Sequence, residues 1–215
     1  MDRQGFRSAR IGLFLCVLSI CHLVGAQNLV PNHSFEEYDE CPYNSAQIEK
    51  ALGWFNTVGG CDYFHECGIN GFGIPVNLRG GGDARTGRAY GQITLYTTVV
   101  TNARESIGTE LQEVLSPNVA YHVEFYLSLE DSLNYAVKNV GAYFSQEVPT
   151  QNLEMFLSLT PQISYEGAEF LTDKEGWMKI SGSFVAVGGE RYLTIGNFDD
   201  DENTDSLFVE GGGVL

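Results

Sequence analysis

The sequence predicts an all-β chain, an antiparallel β-sandwich, and three observations carry that expectation. Apolar and polar residues alternate in several short runs, glycine-rich turns separate the runs, and helical periodicity is weak throughout. In residues 122–129, Val123, Phe125, Leu127 and Leu129 alternate with His122, Glu124, Tyr126 and Ser128. Such a period of two puts one set on the core side of a sheet and the other toward solvent. Residues 177–186 repeat the pattern, with Met178, Ile180, Phe184 and Ala186 on one face. Residues 89–96 set Ile93 and Leu95 opposite Tyr90, Gln92, Thr94 and Tyr96, and residues 137–144 and 191–198 also read as strands. Helical signals are confined to a turn around 45–52 and a stretch at 152–159. Residues 68–87 form a long Gly-dense loop containing Pro75. With no Pro/Ser linker and no repeat, one domain is the economical reading.

Composition narrows the function. The 215 residues include 28 acidic and 12 basic side chains, a formal charge of -16. That balance excludes a nucleic-acid binder, which needs a basic face to displace counterions from phosphates. It also disfavours docking on anionic lipid. Arg3, Arg7 and Arg10 precede the apolar stretch 11–24, and Val24-Gly25-Ala26 supplies small residues ahead of Gln27. This is the grammar of a secretory signal peptide cleaved after Ala26, leaving a single domain over 27–215. The apolar stretch is shorter than the ~20 residues of a spanning helix, and no later segment is long and apolar enough to cross a membrane. The expected destination is the periplasm, the outer-membrane surface or the extracellular space.

Beyond the signal segment three cysteines remain, Cys41, Cys61 and Cys67. An oxidising compartment favours one disulfide and one thiol left over, and Cys61–Cys67 is among the pairings the sequence leaves open. Cys41, Cys61, His65 and Cys67 also have the donor types of a zinc site, although the spacing matches no common finger.

Several segments in order resemble a known family. They are Asn28-Leu29-Val30-Pro31-Asn32 with Ser34-Phe35-Glu36, then Cys41-Pro42, Gly53-Trp54, Asp62-Tyr63-Phe64-His65 with Cys67, and Pro75-Val76-Asn77. Gly87-Arg88-Ala89-Tyr90, Gly176-Trp177 and Ile195-Gly196-Asn197-Phe198 complete the series. Together they are similar to the galactose-binding-like jelly-roll modules of Bacteroidetes secreted and outer-membrane surface proteins, which often precede OmpA-type domains. The resemblance implies a jelly roll, export, a binding rather than catalytic role, and a Cys41–Cys67 disulfide. It also implies a closing strand that this sequence lacks after Glu210-Gly211-Gly212-Gly213-Val214-Leu215. Many such modules hold a structural calcium near the opening strand, which makes Glu36 a candidate ligand.

A second calcium candidate comes from spacing. Asp199, Asp201, Asn203, Asp205 and Glu210 fall at positions 1, 3, 5, 7 and 12 of a calcium-loop template, where oxygens converge on a hard cation. Thr204 stands where an EF-hand needs glycine, and the flanks read as strands. Catalytic signatures are poor: there is no G-x-S-x-G and no H-E-x-x-H, and Glu130-Asp131-Ser132-Leu133 only superficially resembles a hydrolase block. The expected function is therefore a secreted, non-catalytic module that binds a glycan or surface polysaccharide. Sugar rings stack on flat side chains and bond amides, which nominates Tyr63, Phe72, Asn77 and Tyr90. The competing readings are a purely structural envelope domain and, last, a secreted hydrolase.

Overall fold

The computed structural model describes residues 27–150 and 155–210. Within them every regular element is a β-strand apart from a 3-10 turn at Ile48–Lys50. The strands are β1 (Trp54–Val58), β2 (Asp62–His65), β3 (Ala89–Gln92), β4 (Ser106–Glu110), β5 (Ala120–Leu127) and β6 (Tyr135–Val137). They continue with β7 (Gly141–Ser145), β8 (Ile163–Ser164), β9 (Met178–Val185), β10 (Tyr192–Gly196) and β11 (Ser206–Phe208). The signal segment at 1–26 lies outside the described residues, as do 152–154 of the expected helical stretch; residues 155–159 form no helix.

One layer is a continuous five-stranded antiparallel sheet in the order β1-β4-β10-β7-β8. The second layer is divided: β5 pairs with β9 over eight residues, and β2 pairs with β3 over four. The chain is an all-β sandwich, as its alternation requires. Strands β5 and β9 fall within two residues of the stretches read from period two, and their apolar sets point inward: Val123, Phe125 and Phe184 pack on the main core, and Ile180 is buried. Phe184 meets Phe144 of the facing sheet with ring centroids 4.7 Å apart. The main core joins Trp54, Ile107, Leu193, Ile195 and Phe144 from the five-stranded sheet to Tyr63 and Ala89 from the short pair. The outer face of the large sheet is covered by a second cluster built on Val58, Leu157 and Phe198.

Two expectations change. Residues 137–144 are not one strand: β6 ends at Val137, and β7 starts at Gly141 in a different sheet. Asn139 sits in the break, donating through Nδ2 to Asp199 and to the Asn203 carbonyl and accepting the Asp205 N–H. Those bonds draw the backbone out of the ladder. Strand β4, central in the sheet, was not expected, because Ser106-Ile107-Gly108-Thr109-Glu110 carries little apolar signal. It is buried all the same: Thr109 donates to the Gly53 carbonyl, and a Cβ at Gly108 would collide with Phe55 and Thr57. Here the neighbours, rather than the strand's own hydrophobicity, determine burial.

Candidate functional site

The divided layer leaves a groove. Strand β5 pairs only with β9 and β3 only with β2 among the described residues, so each has one unpaired edge. Residues of both line a cavity of about 560 Å³ whose floor is the large sheet. Trp54, Ile107, Leu193 and Ile195 form that floor; Tyr121, Val123, Phe125 and Leu127 form one wall, and Ala89, Gly91 and Ile93 belong to the other. Leu29, Val30 and Phe35 close one end, where Phe35 stacks on Trp54 at 4.5 Å and the Trp54 indole donates to the Asn32 carbonyl. The lining is mostly apolar, and the size is that of a ligand site rather than of a packing defect.

The mouth carries the polar and aromatic groups. The Arg85 guanidinium lies 3.4 Å from the centroid of the Tyr126 ring. Trp177 donates to the Asp83 carbonyl and meets Tyr90 edge-on at 6.0 Å. Glu124 accepts from Lys179 and from the Tyr126 hydroxyl, and those two bonds hold its carboxyl below the ordinary value. A more polar depression of about 400 Å³ lies elsewhere, between residues 162–167 and 179–183.

Of the four residues nominated for sugar contact, Tyr90 alone reaches the groove. Tyr63 is fully buried, with its hydroxyl donating to the Phe35 carbonyl, and Phe72 is stacked inside on Phe64. Neither presents a ring face to solvent, because both side chains lie inside the fold. Asn77 is nearly buried and donates to the Tyr90 hydroxyl at 2.7 Å, while its own oxygen accepts the Arg79 N–H. Burial pushes the Tyr90 phenol up to about 12, with the Asn77 bond acting in the opposite sense.

Cys41 and Cys67 form a disulfide, with Cα atoms 5.6 Å apart. That removes the zinc reading, since two of its three thiolates are consumed. Cys61 is a buried free thiol, and burial raises it well above its ordinary value. His65 accepts the Cys67 N–H at Nδ1, so its Nε2 bears the proton; that atom is buried without a partner among the described residues, and desolvation lowers the imidazole.

The calcium candidates are engaged internally. Glu36 accepts the Arg88 N–H at 2.7 Å across Gly87, which has φ of 69° and leaves no room for a Cβ beside that carboxylate. In the acidic turn the cation is supplied by the protein. The fully buried Arg104 side chain donates to Asp201 at 2.8 Å and to Thr204 at 3.1 Å. Burial works to raise the Asp201 carboxyl, but the Asn102 N–H and Arg104 outweigh it, and the net shift is downward. Asp199 accepts from Asn139, and Asp200 caps Asn203. Asn203 and Asp205 thus tie the turn to itself and to Asn139. Among the described residues no group of three or more His, Cys, Asp or Glu side chains is placed to hold a metal ion.

A second polar cluster was not foreseen. Asp62 is buried, accepting the Ala46 N–H and the Arg79 guanidinium at 3.1 Å. Burial pushes the carboxyls of nearby Glu105 and Glu130 upward, and each adds Coulombic repulsion from Asp62. Ser132 donates to Glu130, so the Glu130-Asp131-Ser132 block closes on itself. Comparison with family models, with curated proteins and with solved structures found no match to this chain.

Proposed function

We propose that this chain is a non-catalytic binding module of an exported protein and that the groove between its layers is the ligand site. The observation that carries the reading is an open, largely apolar groove of about 560 Å³ running beside the eight-residue β5, whose second edge has no strand partner among the described residues. Export rests on the signal-like segment before Gln27, and the galactose-binding-like resemblance agrees with a binding role. A glycan is the second reading, and what favours it is the set of rings at the mouth, Tyr90, Tyr126 and Trp177. It gains nothing from Tyr63 and Phe72, which are interior. Structural calcium forms no part of the reading, since Asp201 is paired with Arg104 and Glu36 accepts the Arg88 N–H.

Titration with the apolar anionic dye anilinonaphthalene sulfonate tests the site. One dye per chain is expected to bind saturably, and Val123→Trp, which fills the groove from β5, is expected to weaken binding at least about tenfold while the protein stays folded. Displacement of the dye by oligosaccharides would assign the glycan ligand. Dye binding that never saturates, or that ignores Val123→Trp, sinks the proposal.

A further inference from the structure

Resting on the groove as a binding site, we infer that its ligand is an extended polypeptide segment, inserted as a strand between β3 and β5, apolar on one face and carrying a carboxylate opposite Arg85. Three observations meet here. The first is the pair of unpaired edges. An unpaired strand edge presents N–H and C=O groups in regular alternation, and an incoming strand satisfies them at the normal spacing of about 4.8 Å. Strand β5 offers eight residues of such edge and β3 four.

The second observation is the alternation of β5. Tyr121, Val123, Phe125 and Leu127 are half-buried and pack inward on the core, while His122 and Glu124 are exposed at the groove's rim. A strand laid beside it turns every second side chain onto Ile107, Leu193 and Ile195 of the floor, so the partner needs apolar residues at alternate positions. Sugar hydroxyls donate and accept but do not repeat at the spacing of a strand edge, whereas a polypeptide backbone does.

The third is charge. Arg85 is exposed at the mouth, held over Tyr126, and makes no ion pair among the described residues. The neighbouring carboxylate, Glu124, is engaged by Lys179 at 3.3 Å. The chain as a whole is strongly acidic, but screening confines that field to about 8–10 Å, so the local cation governs what sits beside it. An acidic side chain on the partner would pair with Arg85.

The probe is a synthetic eight-residue peptide alternating valine and threonine, with an aspartate near one end and a fluorophore at the other, titrated against the full chain. Saturable one-to-one binding is expected, with hydrogen-exchange protection of both Ala89–Gln92 and Ala120–Leu127. Arg85→Ala should weaken binding about three- to fivefold, and replacing the peptide's aspartate by lysine in that variant should cost little more. A copy methylated on alternate backbone nitrogens should not bind. Protection at one edge only, or equal binding of the methylated copy, overturns the inserted strand. Self-association that masks β5 makes a second copy the occupant, and peptide binding that appears only after deletion of residues 211–215 makes it the chain's own end; either refutes the inference. Val123→Trp-sensitive dye binding without peptide binding refutes the peptide alone, whereas loss of both refutes the binding module as well.

Discussion

The two layers of the sandwich solve the same packing problem differently. The large sheet is hydrogen-bonded continuously from β1 to β8, whereas the facing layer is two separate pairs with a groove beside them. In the first, backbone pairing and side-chain burial reinforce each other. In the second, burial is supplied by the opposite sheet, and the missing backbone continuity is offset by a covalent link, since Cys67 follows β2 and ties it to Cys41. The continuous layer is a scaffold; the divided layer is where the molecule has surface to offer.

The largest effect should come from breaking the scaffold. Leu193→Ala, in the middle of the large sheet and almost fully buried, is expected to cost about 3–4 kcal/mol in urea unfolding. Next, replacing both Cys41 and Cys67 by serine should cost about 3 kcal/mol, consistent with a closed loop of sequence separation 26. That loss should appear first as fast hydrogen exchange in β2 and β3, with β4 and β10 still protected; uniform exchange across both layers would erase the distinction between them. Val123→Ala, on the groove wall and half-buried, should cost less than about 1 kcal/mol, far below an equivalent truncation in the sheet.

The smallest effect concerns protons. Burial raises the Glu105 and Glu130 carboxyls above their ordinary value of 4.5, so the folded state favours their neutral forms. Their contribution is complete below that value and is lost as pH climbs through the raised ones. Glu105→Gln, which keeps an acceptor for the Thr94 N–H, should therefore raise the melting temperature slightly near about pH 7, with the difference vanishing by about pH 4. A variant less stable near neutrality would mean that the carboxylate is favoured in the folded protein.

The divided layer was the more legible of the two. Strands β5 and β9 declare themselves because one face is buried and the other wet, which is what a period of two encodes. Strand β4 is hidden because both its edges and both its faces are covered, so Ser106, Gly108 and Thr109 meet the chain's needs without alternation. The site was harder to read. Tyr90, nominated for sugar contact, lies at the groove, yet the walls come from residues whose sequence signal is simply that of core. Nothing local announces that β5 has only one strand neighbour among the described residues, because strand pairing is a property of distant segments. The acidic turn shows the same limit: its spacing suits a cation, and the cation that answers it, Arg104, lies almost a hundred residues away in sequence.

Cys61 has a consequence for how the chain matures. Thiol–disulfide exchange proceeds through the thiolate, and this sulfur is both enclosed and held in its protonated form. Once folded, it is a poor nucleophile toward the Cys41–Cys67 bridge, and burial shields it from oxidants. Pairing of Cys67 with Cys41 rather than with Cys61 thus leaves, among the described residues, one thiol that the folded interior encloses.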